Sequence, residues 1–251
     1  RLGDSTRRER VLLASLVLLV IVPLLYGTWS AWRNGWIPYS DNAILGVRAR
    51  DVFSSRSPWL GMPTSFPADV TGDVWHPGPM LFWWYAPGVR LFGALWGLLL
   101  SVALLHTVSV AGVAVVAYRR GGAWVAAGGV ATAAAVAGLS GGSAVLFRPL
   151  NGIVPLLAFL LFLFLAWSVT CGDHALLPVL VLVGSLVVQA EIEYLGSVVV
   201  FTVLATGGLV LQYRRGVVST AEARRAAVLS GLAVLVCWAL TAFEALSNAG
   251  G

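Results

Sequence analysis

Two carboxylates, Glu191 and Glu193 in "SLVVQAEIEYLGSVVV" (185–200), interrupt a run from Ala175 to Gln212 that carries no other charged residue. An unpaired carboxylate in hydrocarbon is costly, so such a pair marks either a surface turn or a site with a ligand. Similar residues recur elsewhere: Asp41 in "PYSDNA", His76 in "DVWHPGP", Arg148 and Asn151 in "LFRPLN", and Gln189 just before the glutamates. A carboxylate such as Asp41 can act as a general base or hold a divalent cation, and an imidazole can shuttle a proton or bind phosphate. Plainer roles exist for each alone: helix capping for Asp41, turn hydrogen bonding for His76, solvated turn positions for the glutamates. Asp69 and Asp73 read as loop-surface residues, with Asp73 near enough in sequence to orient His76.

The elements that must position these residues are apolar. The chain is 59% hydrophobic and 11% charged, and its hydrophobicity comes in blocks of about 20 residues, enough to cross a bilayer core. "LLASLVLLVIVPLLYG" and "IVPLLAFLLFLFLAWSV" are apolar on every face, which excludes a soluble domain with amphipathic helices. The expected architecture is all-α and polytopic, one transmembrane domain over 1–251 with seven spans near 11–28, 91–118, 122–140, 152–170, 175–190, 195–212 and 226–243. The chain begins at Arg1 and stops in "FEALSNAGG", so a longer functional polypeptide is expected.

All 16 basic residues are Arg, a codon bias that points to a GC-rich bacterial genome. They serve as a topology ruler and not as a nucleic-acid surface. "RLGDSTRRER" places the N-terminus in the cytoplasm by the positive-inside rule, and alternation brings "YRRGG" (118–122), "CGDHA" (171–175) and "QYRRGVVSTAEARR" (212–225) to the same side. The segment 29–90, the link 140–151, the "AEIEY" turn and the C-terminal "FEALSNAGG" fall outside. Asp41, His76, Arg148, Asn151, Gln189, Glu191, Glu193 and Glu244 thus collect on one face of the expected plasma-membrane protein. His106 reads as a helix-packing histidine.

A first outer loop of about 60 residues is long, and loops of that length are usually functional. "SDNAILGVRARDVFSS" opens on a Ser-Asp cap signal and sets Ile44, Leu45, Val47 and Val52 against Arg48, Arg50 and Asp51, as a short interfacial helix would. "PMLFWWYAPGVRLFG" (79–93) supplies a second, and the Pro- and Gly-rich stretch between them reads as an ordered loop with fixed turns. Other chemistries find no motif: there is no Walker loop, HExxH or CxxC, Cys171 and Cys237 form no disulfide framework, and no acidic residue lies mid-membrane for a proton-coupled transporter.

This order of parts resembles the GT-C glycosyltransferases that use polyprenyl-phosphate sugars. "PYSDNAILGVRARDVFSSRSPWLGMP", "HPGPMLFWWYAPGVRLFG" and "VGSLVVQAEIEYLGSVVV" look more closely like an actinobacterial group of GT-C-like membrane proteins. The resemblance implies transfer of a sugar to a glycan or lipid acceptor of the cell envelope, in the bilayer and on its outer side, beside other membrane proteins and without nucleic acid. It makes Asp41 the base or part of a metal site, with His76 in the group's "HPGP" motif as a second catalytic candidate. Arg148 would grip the leaving phosphate, as arginine does bidentately. Asn151, Gln189, Glu191 and Glu193 would meet the substrate, and Trp75, Trp83 and Trp84 would stack on sugar rings. A divalent ion, Mg or Mn, would sit on Asp41 and Glu191. The chain departs from the group at "QAEIEY", where "QTHxGY" is expected, and at "PLN" for "PWNP". The rival readings are a noncatalytic scaffold or lipid-binding subunit and a flippase or transporter of lipid-linked sugars.

Overall fold

The computed structural model describes residues 2–63 and 75–248, with side chains from Arg7 to Ser247; Asp69 and Asp73 lie outside them. The described residues are helical apart from turns and one isolated antiparallel bridge, Pro63 to Trp75. Helix α1 is Leu2–Arg33 and α2 is Asp41–Asp51. A continuous helical run, Met80–Leu139, is broken at Gly93 (φ 77°, ψ 168°) and Gly122 (φ 71°, ψ −164°) into α3 (80–92), α4 (94–121) and α5 (123–139). Helices α6 (Pro155–Thr170), α7 (Leu177–Ala190), α8 (Leu195–Arg214) and α9 (Thr220–Asn248) follow. Four stretches are long and apolar enough to cross a membrane: Arg7–Arg33, Met80–Leu139, Ile192–Arg214 and Thr220–Ser247. Pro155–Thr170 and His174–Ala190 are apolar but shorter.

Both glycine breaks reverse the chain. The Trp84 indole Nε1 donates to the Ser101 carbonyl at 2.8 Å, yet in one straight helix these residues would be about 25 Å apart. Each break has a backbone conformation that only glycine adopts without strain. The resulting α3–α4 hairpin is tight: a β-carbon on Gly88 would fall 2.5 Å from Ser101 Oγ, and one on Gly97 would collide with the backbone of Val89. Past Gly122, α5 packs back on α4, with Gly129 beside Val113.

Two apolar cores result. One fills the bundle, with Val113, Ala133, Leu157, Phe162, Val169 and Leu180 among its members. The other joins α2 and the α3–α4 hairpin to the ends of α6 and α7 through Leu45, Val52, Phe82, Tyr85, Leu98 and Leu186. Helix α8 packs on α6 and α9 on α7, and both leave most of their apolar surface outward.

The polar segments separate into two ends. At the basic end, Arg119 pairs with Asp173 at 3.2 Å, and Arg120 donates to Ser168 Oγ and to its carbonyl at 2.9 and 2.6 Å. Ser168 Oγ in turn donates to Asp173 at 3.2 Å, Gly172 touches Gln212, and His174 lies 3.9 Å from Glu222. The opposite, loop end carries α2, α3 and the links 140–154 and 191–194. Alternation of the expected spans groups 118–122, 171–175 and 212–225 together, and side chains of the three links do meet.

Two expectations for α2 need correction. Ser40 makes no side-chain cap; it takes a positive φ of 50° and only its carbonyl accepts the first helical amides. The buried face is Asn42, Leu45, Gly46 and Ala49, at helical spacing against α4, whereas Ile44 and Val47 are exposed. Hydrophobicity alone misplaced the face because Gly46 allows α2 to approach Ala94 and Leu98 closely. Arg90 of α3 closes the far end of α2 by donating to the carbonyls of Val52 and Arg50, a cation placed where the helix dipole favours it.

Candidate functional site

Asp41 and Arg148 line one pocket of about 220 Å³ at the loop end, together with Trp36, Tyr39, Ser40, Asn42, Phe147 and Leu150. Three elements supply it: the descent from α1, the first turn of α2, and the link between α5 and α6. The cap role open to Asp41 is not taken, since its carboxylate receives only a long 3.4 Å contact from Ser40 Oγ at the exposed start of α2. Arg148 is exposed, and its guanidinium lies 5.9 Å from the Phe147 ring centre, which in turn meets Trp36 edge-on at 6.2 Å. Asn42 is 6% exposed, and its Oδ1 is buried without a hydrogen-bond partner. A buried amide oxygen left unpaired carries a desolvation cost that a ligand donor would relieve. A carboxylate, a cation, an unpaired acceptor and aromatic walls thus line one pocket.

His76, Gln189 and Glu191 form a second cluster. The "HPGP" segment docks on the end of α7: Gly78 has no room for a side chain against the Gln189 amide, and Gln189 Oε1 accepts the Met80 amide at 3.1 Å. Gln189 Nε2 donates to the Cys237 carbonyl of α9 at 2.7 Å, so one side chain joins α3, α7 and α9. His76 is 6% exposed, and its backbone pairs with Gly61 and Met62 at the neck of the first loop. Burial pushes its imidazole below the ordinary value, and the nearby Glu191 partly offsets that. Its Nδ1 is buried and unpartnered. Glu191 approaches Gly152, Asn151 is half-buried in the same link, and Glu193 is exposed.

The tryptophans are placed elsewhere. Trp75 is exposed at the Pro63 bridge, while Trp83 and Trp84 line an apolar groove of about 350 Å³ with Met80, Leu105, Ser109 and Leu186. The aromatic wall of the Asp41 pocket is Trp36, Tyr39 and Phe147, which sequence reasoning missed along with Asn42. Their adjacency to Asp41 and Arg148 in "NGWIPYSDN" and "LFRPL" was the available signal. His106 packs as expected, 1% exposed, with Nε2 3.1 Å from the Leu146 carbonyl.

Among the described residues no group of three His, Cys, Asp and Glu that could hold an ion is found, and Glu191 does not line the Asp41 pocket. Comparison with protein-family models, with curated proteins and with solved structures finds no match to this chain.

Proposed function

We propose that this chain is a membrane glycosyltransferase of GT-C-like architecture that moves a sugar from a polyprenyl phosphate to a cell-envelope acceptor on the extracytoplasmic side. The observation that carries this reading is the shared pocket of Asp41 and Arg148, walled by aromatic rings at one end of an apolar helical bundle. In this reading the basic end faces the cytoplasm, and α1, α4, α5, α6, α7, α8 and α9 are the seven spans, with α2 and α3 at the outer interface. The short α6 and α7 fit a thin or locally thinned bilayer.

Arg148 neutralises the phosphate as its bond to the anomeric carbon breaks, and the polyprenyl phosphate departs with that electron pair. Asp41 takes the proton from the acceptor hydroxyl as its oxygen bonds to the same carbon. Asn42 Oδ1 accepts a hydrogen bond from a sugar hydroxyl, and Trp36, Tyr39 and Phe147 shield the ring from water. The His76–Gln189–Glu191 cluster fixes the neck of the first loop against α7.

The noncatalytic scaffold stays as a second reading, favoured by the departure at "QAEIEY" and by the absence of Glu191 from the lining of the Asp41 pocket. The deciding experiment is transfer of labelled sugar from a panel of polyprenyl-phosphate donors by purified protein, beside folded Asp41→Ala and Asn42→Ala variants. Turnover abolished by Asp41→Ala supports the transferase. Donor binding without turnover, unchanged in both variants, supports the scaffold.

A further inference from the structure

The groove beneath Trp83 and Trp84 differs in kind from the Asp41 pocket. It holds about 350 Å³ between α4, α6 and α7 under α3, at the lower end of the roughly 300–1,000 Å³ of small-molecule sites. Its lining includes no charged residue. Two polar groups interrupt the apolar surface. Ser109 is 1% exposed, and its Oγ is buried without a partner. Trp83 has an indole N–H that meets no acceptor among the described residues, whereas the Trp84 N–H is spent on the Ser101 carbonyl.

These features narrow the occupant by exclusion. A phosphate-headed lipid needs a cation, and Arg148 lines the other pocket. A plain hydrocarbon tail leaves the buried Ser109 hydroxyl unpaired, at the desolvation cost of such a group. A ligand hydroxyl that donates its proton suits the serine but not the indole, which can only donate. An acceptor oxygen on an uncharged body suits both. The rim indicates where the rest of the ligand lies: Val108 and Leu182 line the groove and are 48% and 41% exposed, so it opens onto apolar surface. In the membrane-embedded reading that surface meets lipid. Inside, two indoles and the thioether of Met80 make walls suited to a flat ring.

We propose that this groove binds the ring of an uncharged, membrane-soluble quinone. The ring lies against the indoles, Ser109 donates to a ring carbonyl, and the hydrocarbon side chain leaves past Val108 and Leu182. The site rests on the membrane-embedded reading above and not on sugar transfer. Its test contains no sugar donor, so absence of turnover with quinone binding retained removes the transferase reading and leaves this site standing.

A matched pair of rings provides the test. Radiolabelled dimethylnaphthoquinone, methylated at both free quinone carbons so that the exposed Cys171 thiol does not add to it, is titrated onto the full chain in detergent micelles. Labelled dimethylnaphthalene of the same pattern keeps the flat ring and lacks both carbonyls. The quinone is expected to bind saturably and the hydrocarbon about tenfold more weakly. Ser109→Ala is expected to weaken the quinone about fivefold and to leave the hydrocarbon unchanged, which also reports that the groove is still folded. Val108→Phe fills the groove from a partly exposed position and should expel both rings; should it fail to fold, Ser109→Ala with the ring pair carries the same test. Quinone binding that never saturates overturns the site. Equal affinity for the two rings, or a quinone affinity untouched by Ser109→Ala, overturns recognition of the carbonyl. Displacement of the quinone by an equal concentration of dodecane assigns the groove to an acyl tail and overturns the quinone.

Discussion

Asp41 and Arg148 face one pocket from two different connections, the first turn of α2 and the link between α5 and α6. Neither residue holds the fold together, since both are exposed. Their substitution should therefore separate chemistry from stability. Arg148→Lys keeps the charge but loses the planar fork, so donor KM should rise roughly tenfold while the melting temperature stays put. Asp41→Asn should lower kcat by about 10²-fold or more at similar KM. Steady-state kinetics on folded variants checks both, and a parallel fall in melting temperature would defeat the separation.

Gln189→Leu removes a side chain that spends both ends on backbone groups, the Met80 amide and the Cys237 carbonyl. The leucine fills the volume but leaves the buried Met80 amide unpaired, while the Cys237 carbonyl, inside helix α9, loses only its second bond. A loss of about 1–3 kcal/mol is expected. Thermal unfolding in detergent gives the size, and faster hydrogen exchange at the start of α3 gives the location.

His76 makes stability depend on pH. Burial holds its folded pKa below the ordinary 6.5, so the unfolded chain binds the proton first as the pH falls. Stability is complete above about 6.5 and declines through the window between that value and the lowered folded one. Glu191 opposes the shift, so Glu191→Gln should deepen the loss. His76→Gln should flatten it. Melting temperatures at pH 7.5 and 5.5 for the three proteins decide the matter, and identical slopes would rule out His76 as the source.

The orientation can be read without mutation. Cys171 is exposed at the basic end and Cys237 is buried. If the basic end is cytoplasmic, a membrane-impermeant maleimide should leave intact cells unlabelled and modify Cys171 only after permeabilisation. Labelling of intact cells would invert the topology.

Much of the helical fold was legible because apolar runs mark the long helices and arginine clusters mark links between them. Every expected span has a helical counterpart, and the Arg119–Asp173 pair joins two of the links that alternation of the spans groups together. The α3–α4 reversal was visible only as a boundary near residue 91, since a single glycine carries it and no polar loop announces it. The site was half legible. Asp41 and Arg148 stood out as charges, but Asn42 and the rings of Trp36 and Phe147 gain meaning from a pocket that only folding assembles. Trp83 and Trp84 drew attention as aromatics, and their destination depended on the fold-back at Gly93.

Gly97→Ala tests that fold-back directly. The added methyl meets the backbone of Val89, which cannot swing aside as a side chain can. Overpacking of this kind costs about 1–3 kcal/mol, and the melting temperature should fall accordingly. An unchanged melting temperature would mean that the hairpin is looser than described.

A turn made of one residue also has no slack. One residue added beside Gly93 would rotate α4 by about 100° against α3, carrying the Ser101 carbonyl away from Trp84 and Gly97 away from Gly88. The helices here are therefore counted from their glycines, as teeth are counted on a rack. Between Met80 and Ser101 the chain must keep step residue for residue for this hairpin to close.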